Sequence, residues 1–188
     1  MSRTLKVVAV SGSVQQPSRT LALVKETLAL IEQQLPVDVR LIELSDRGPQ
    51  FAGVLTREQL PQVLQDDLEA IESADLLIAA SPVYRASYTG LFKHLFDFVH
   101  YQALQRTPVL LLATGGSERH ALVIDHQLRP LFGFFQAHSL PLGIYAAESD
   151  FANYQLVNPD LQERLSRAVD AAVELFTPAR FTVSVSAA

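Results

Sequence analysis

The chain has 188 residues, 48% of them hydrophobic, with 10 prolines and 8 glycines dispersed along it and a formal net charge of −5. This length suits one domain, 1–188, with a large packed core, and the dispersed Pro and Gly argue against disorder or a collagen-like repeat. The lack of cysteine excludes disulfides, thiolate catalysis and Cys-based zinc sites, and a mildly acidic balance without any Lys/Arg run gives no electrostatic reason to bind nucleic acid.

Leu5 to Val10 is apolar and β-branched and ends at Ser11-Gly12-Ser13, which predicts a buried strand. The run is too short for a signal segment with its cleavage site, and no stretch is long enough to span a bilayer; the expectation is a cytoplasmic protein without membrane contact. Ser18 to Gln34 carries Leu21, Val24, Leu28 and Ile31 at helical spacing, with Ser18 as N-cap and Pro36 beyond its end. Val37 to Leu44 predicts a second strand, at the sheet edge because its alternating polar positions need solvent. Ser45 to Thr56 reads as a loop, Thr56 to Ser73 as a helix, and Asp75 to Ala80 as a third, fully buried strand.

A loop from Ser81 to Gly90 and a helix from Leu91 to Phe98 lead to the fourth strand, Pro108 to Ala113. Arg119 to Ala137 predicts a long, mostly apolar helix interrupted by Pro130. Its Phe132, Phe134 and Phe135 cannot all face one small core, which points to a subunit interface. Leu140 to Ala147 is the fifth strand, followed by a polar loop and a last helix from Pro159 to Phe176. The tail, 177–188, has no clear partner and is either loose or packed on a neighbour.

Five alternations of strand and helix make an α/β fold with a parallel sheet covered on both faces. Right-handed crossovers leave few doubly wound orders, and the flavodoxin-like order 2-1-3-4-5 fits a five-stranded chain of this length.

Ligands of such sheets sit beyond the carboxyl ends of the strands, at the switch point between strands 1 and 3. Three segments rich in hydroxyl residues and glycine end at that edge. Ser11-Gly12-Ser13 through Ser18-Arg19-Thr20 joins a strand to a helix N-terminus. Free N–H groups, the hydroxyls of Ser11, Ser13, Ser18 and Thr20, and the Arg19 charge suit a terminal phosphate, although the same turn alone reads equally as an ordinary cap. It is neither a Walker A loop nor the Gly-x-Gly-x-x-Gly fingerprint. Ser81-Pro82-Val83-Tyr84-Arg85-Ala86-Ser87 offers backbone groups of Val83 and Tyr84, and the Tyr84 ring, to whatever lies above the sheet, or simply covers the core edge. Thr114-Gly115-Gly116-Ser117 allows a backbone to approach a ligand, or is a flexible turn.

With these loops the sequence resembles the NAD(P)H-dependent FMN reductase family, and within it the FMN reductases of bacterial alkanesulfonate and methanesulfonate monooxygenase systems. The likeness runs from about Lys6 to Phe176 and is most specific in Ser81-Pro82-Val83-Tyr84 with Ser87-Tyr88-x-Gly90-Leu91-Phe92-Lys93. It implies that the first loop grips the FMN phosphate, the second the ribityl chain and ring edge, and the third the isoalloxazine. The implied cofactor-binding residues are Ser11, Ser13, Ser18, Arg19, Thr20, Pro82, Val83, Tyr84, Arg85, Ser87, Thr114, Gly115, Gly116 and Ser117. The family often has an arginine where this chain has Gln15; Arg19 then supplies the charge, and the resemblance implies a weakly held, exchangeable flavin.

In the sulfonate-linked branch the helix after the fourth strand often carries one extra residue and bulges. The matching stretch is Val123 to Pro130, with His126 where that branch commonly has tyrosine, so His126 is either a modulator of the reaction or an inert histidine at a subunit contact. The implied reaction is hydride transfer from NADH or NADPH to FMN, which the cofactors carry themselves. No catalytic acid, base or nucleophile is assigned and no metal site is expected; the Gly-x-Ser-x-Gly elbow is absent. The implied partners are a flavin-dependent monooxygenase that receives reduced FMN and further copies of this chain in a homodimer or homotetramer. Two other readings stay open: a flavin-retaining quinone or azo reductase, and a flavodoxin-type electron carrier.

Overall fold

The computed structural model describes residues 4–177; residues 178–188 of the predicted tail lie outside it. Three strands read as continuous apolar runs form the centre of the sheet: β1 (Leu5–Ser11), β3 (Leu76–Pro82) and β4 (Pro108–Gly115). β2 (Val37–Glu43) is the edge strand, with Ile42 its one fully buried residue. The order is β2-β1-β3-β4 and every pairing is parallel, as alternating βα units require. This is the flavodoxin-like order read from the sequence.

The fifth position differs from expectation. The run from Leu140 to Ala147 is not one strand. β4 pairs with β5 (His138–Ser139) near its start and with β6 (Ile144–Ala147) near its end. Pro141 lacks an N–H for the ladder, and at Gly143 a Cβ would lie 2.7 Å from Ile124, so the chain leaves the sheet between the two pieces.

Helices cover both faces. α1 (Arg19–Glu32) and α6 (Pro159–Glu174) pack Leu23, Val24, Ile31, Leu165 and Val169 against one side of the sheet. The other side meets α3 (Gln62–Glu72), α4 (Gly90–Asp97) and α5 (Arg129–Phe134), whose cluster includes Leu68, Phe92, Phe96 and Phe132. The helix expected to start at Thr56 starts later. A 3₁₀ turn at Arg57–Gln59 comes first, and Pro61 precedes α3, where its missing N–H costs nothing. The loop after β2 contains a short helix, α2 (Leu44–Arg47), and a 3₁₀ turn, Gly48–Phe51. Arg47 and Arg40 of β2 both reach the fully buried carboxylate of Asp67 on α3, each at 2.6 Å, and so tie the edge strand to its covering helix.

The long helix from Arg119 to Ala137 is also corrected. It is a 3₁₀ turn at Glu118–His120, a π-helical segment at Ile124–Leu128, and α5. The bulge implied by the resemblance is therefore present. Three pieces of different pitch put residues on faces that a single helical wheel assigns wrongly. Phe132 and Phe135 are buried in the chain's own core, and only Phe134, 68% exposed, stands outside.

Candidate functional site

Where β1, β3 and β4 end, the first, second and third loops meet around one cavity of about 310 Å³. Ten of the fourteen predicted site residues line it: Ser13, Ser18, Arg19, Thr20, Pro82, Val83, Tyr84, Thr114, Gly115 and Gly116. Switch-point topology explains the meeting, because the chain leaves β1 and β3 toward opposite faces of the sheet and opens a crevice between them.

The first loop is built to end at a helix start. Gly12 donates its N–H to Ala80 O at 2.7 Å, and a Cβ there would lie 2.8 Å from both that oxygen and Phe92, so only glycine lets β1 turn this close to β3. The Ser13 hydroxyl donates to Gln15 O and accepts from Gln15 N–H, which curls the loop. Ser18 is the N-cap, its Oγ accepting from Leu21 N–H at 3.2 Å. The N–H groups of Ser18, Arg19 and Thr20 open α1, where the helix offers them no acceptor, and they gather at the positive end of its dipole. Thr20 Oγ1 and Thr114 Oγ1 lie 2.6 Å apart in the cavity wall.

The second loop differs from its predicted role. Val83 N–H does not face the cavity freely; it donates to Thr114 O at 2.7 Å. Tyr84 N–H donates to Ser87 O and Ser87 N–H to Tyr84 O, closing a tight turn whose central residues, Arg85 and Ala86, have φ of 50° and 68°. That turn carries Arg85 and Ser87 away from the cavity. Ser87 Oγ donates to Gln127 Oε1 in the π-helical segment. Tyr84 keeps its place in the wall, 42% exposed.

The third loop brings Gly115 and Gly116 to the cavity for different reasons. At Gly115 a Cβ would lie 2.2 Å from the Tyr145 hydroxyl, which donates to Ser117 O at 2.5 Å. Gly115 therefore admits Tyr145 rather than a ligand. At Gly116 the added carbon meets nothing within 4 Å, so there the backbone is bare. Burial, with Glu118 and Asp150 nearby, raises the Tyr145 hydroxyl above the usual tyrosine range. Ser11, the last residue of β1 and 2% exposed, and Ser117 lie outside the lining.

Four lining residues went unpredicted: Gln15, Pro17, Glu148 and Tyr154. Glu148 follows β6 and forms an ion pair with Arg19. Tyr154 sits in a hairpin of β7 (Phe151–Ala152) and β8 (Gln155–Leu156), within the stretch read as a polar loop. Its ring lies under the Arg19 guanidinium, 5.5 Å from carbon to centroid. Asp150 fastens this hairpin, accepting from Ala147 N–H and from Asn158 Nδ2 at 2.7 Å each.

His126 lines a separate, smaller cleft with Arg119, His120 and Leu122, to which the Tyr84–Ser87 turn contributes Ala86. Among the described residues no three of His, Asp and Glu stand where they could hold a metal ion, and no helix is long and apolar enough to cross a membrane.

A family model described as NADPH-dependent FMN reductase matches residues 5–152. The chain is 56% identical over 176 residues to the NADH-dependent FMN reductase SfnF of Pseudomonas fluorescens (strain Pf0-1), covering 94% of each protein. It is equally similar, 56% over 176 residues, to an FMN reductase (NADPH) of Pseudomonas aeruginosa PAO1, covering 94% of this chain and 95% of that one. Among solved structures, the apo form of the NADH:FMN oxidoreductase EMOB superposes with a TM-score of 0.81 at 31% identity, over 94% of this chain and 92% of that one.

Proposed function

Since the chain belongs to the NADPH-dependent FMN reductase family, we propose that it is an NAD(P)H:FMN oxidoreductase whose switch-point cavity binds FMN, phosphate inward, at the N-terminus of α1. The observation that carries the placement is the donor set. Ser18, Arg19 and Thr20, whose N–H groups open α1, line the cavity together with the Ser18 hydroxyl and the Arg19 guanidinium. Tyr84 and the bare backbone at Gly116 line the same cavity and leave room for a flat ring.

FMN when bound supplies the redox chemistry, accepting a hydride from the nicotinamide. The protein's own part is positional. α1 holds the phosphate end, Tyr84 and Gly116 flank the ring, and the Thr20–Thr114 contact keeps those two regions at a fixed spacing. No side chain in the lining is needed as acid, base or nucleophile. Of the fourteen residues predicted from the sequence, we assign direct contact with flavin to nine of the ten in the lining and a supporting role to Gly115, Ser11, Arg85, Ser87 and Ser117.

Two finer points belong to the same proposal. A flavin that arrives, is reduced and leaves is the exchangeable flavin that the resemblance implies, and we propose it for this cavity. The resemblance read from the sequence implies delivery of reduced FMN to a flavin-dependent monooxygenase of sulfonate desulfonation, and we propose that role here. We further propose that the chain self-associates. Steady-state oxidation of NADH and NADPH with FMN, FAD and riboflavin tests the activity. Rates that need added FMN support it, whereas a yellow protein that reduces quinone without added flavin favours a flavin-retaining reductase.

A further inference from the structure

Among the residues lining the cavity, Arg19 is the one cation and Glu148 the one anion, and they are paired to each other. An anion site with a carboxylate in its wall works against itself, since the charge that should attract phosphate is already half-engaged. The pair is not a buried staple: the side chains are 37% and 58% exposed, so it adds little to stability. Tyr154 beneath Arg19 holds the guanidinium at the cavity rather than in solvent. Nothing else bonds the Glu148 carboxylate among the described residues, so its placement answers to Arg19.

We propose that Glu148 sets how tightly and how long this enzyme holds phosphorylated flavin. It competes with the phosphate for Arg19 and stands as a like charge beside it, so FMN binds more weakly and leaves sooner than the donor set alone dictates. This rests on the assignment of the phosphate to the α1 N-terminus. Glu148 is thus a positioning residue that acts through Arg19, and it suits a reductase that gives its flavin away. The carboxylate acts on charge alone, so riboflavin, which lacks the phosphate, is indifferent to it.

The test is equilibrium binding and release of FMN and of riboflavin by flavin fluorescence, using the whole protein and the variants Glu148→Gln, Glu148→Ala, Arg19→Ala and Arg19→Ala/Glu148→Gln. Removing the carboxylate by either route is expected to tighten FMN binding about three- to tenfold, mainly by slower release, with riboflavin unchanged. The gain shrinks at high salt and in the Arg19→Ala background. If Arg19→Ala weakens FMN but not riboflavin while both Glu148 variants leave FMN affinity unchanged or lower, the role of Glu148 is overturned and the phosphate assignment stands. If Arg19→Ala shifts FMN and riboflavin alike, the phosphate assignment itself fails, and the role of Glu148 with it.

Discussion

Thr20 and Thr114, 94 residues apart in sequence, share a buried hydroxyl–hydroxyl hydrogen bond of 2.6 Å. The contact joins the first turn of α1 to the end of β4. Thr114 also accepts Val83 N–H through its carbonyl, so all three loops are anchored at this one residue. Thr114→Val strands the Thr20 hydroxyl in a buried site and is expected to cost about 1–3 kcal/mol of stability. Thr20→Val/Thr114→Val removes both hydroxyls and recovers part of that loss. Urea unfolding of the two variants checks the order, and a double variant less stable than Thr114→Val would count against the pairing.

Gly115 and Gly116 are neighbours with opposite tolerance. Gly115→Ala drives a methyl into the Tyr145 hydroxyl and breaks its bond to Ser117 O, at an expected cost of about 1–3 kcal/mol. Gly116→Ala meets open space and is expected within about 0.5 kcal/mol of the parent. Thermal unfolding separates them, and equal midpoints would contradict the packing described for Tyr145.

Glu72 gives the fold an acid-sensitive tie. Burial pushes its carboxyl up, but the Arg57 guanidinium at 2.5 Å and the His100 N–H at 2.8 Å outweigh burial and hold it below its ordinary value of 4.5. A depressed folded value means the stabilisation is present above the unfolded value and is lost as pH falls through the folded one. Glu72→Gln is therefore expected to destabilise at pH 7 and progressively less below about pH 4. Denaturant unfolding at both pH values measures it, and a difference that does not change with pH would contradict the ion pair.

How much of this was legible depended on burial. β1, β3 and β4 read correctly because strands covered on both faces are continuous apolar runs, and the three loops followed from where those runs stop. Leu140 to Ala147 reads as one strand because its apolar residues outweigh Pro141 and Gly143, the two residues that split it. The hairpin around Asn153 and Tyr154 escaped because its turn uses two non-glycine residues at positive φ, without an Asn-Gly signature. That miss hid Tyr154 and Glu148 from the site, although a loop following the last strand ends at the same sheet edge as the other three. Arg85 and Ser87 lay in the right segment. Their facing was set by a four-residue turn that again carries no glycine.

Phe134 is the exposed remainder of an aromatic run whose other members are buried. It borders a groove of about 650 Å³ with Tyr101, itself 59% exposed, and Leu131. If self-association uses this face, Phe134→Asp is expected to turn the oligomer into a folded monomer whose unfolding midpoint no longer depends on protein concentration. Sedimentation velocity decides, and a variant that sediments like its parent would place the interface elsewhere.

The most direct test of the account is the rate of NADH and NADPH oxidation by the purified protein as FMN or riboflavin is added. The account predicts rates that depend on added flavin and saturate, with a lower KM for FMN than for riboflavin, and a loss of that preference in Arg19→Ala. Oxidation that is indifferent to the phosphate in the parent protein, or absent with either flavin, would contradict it.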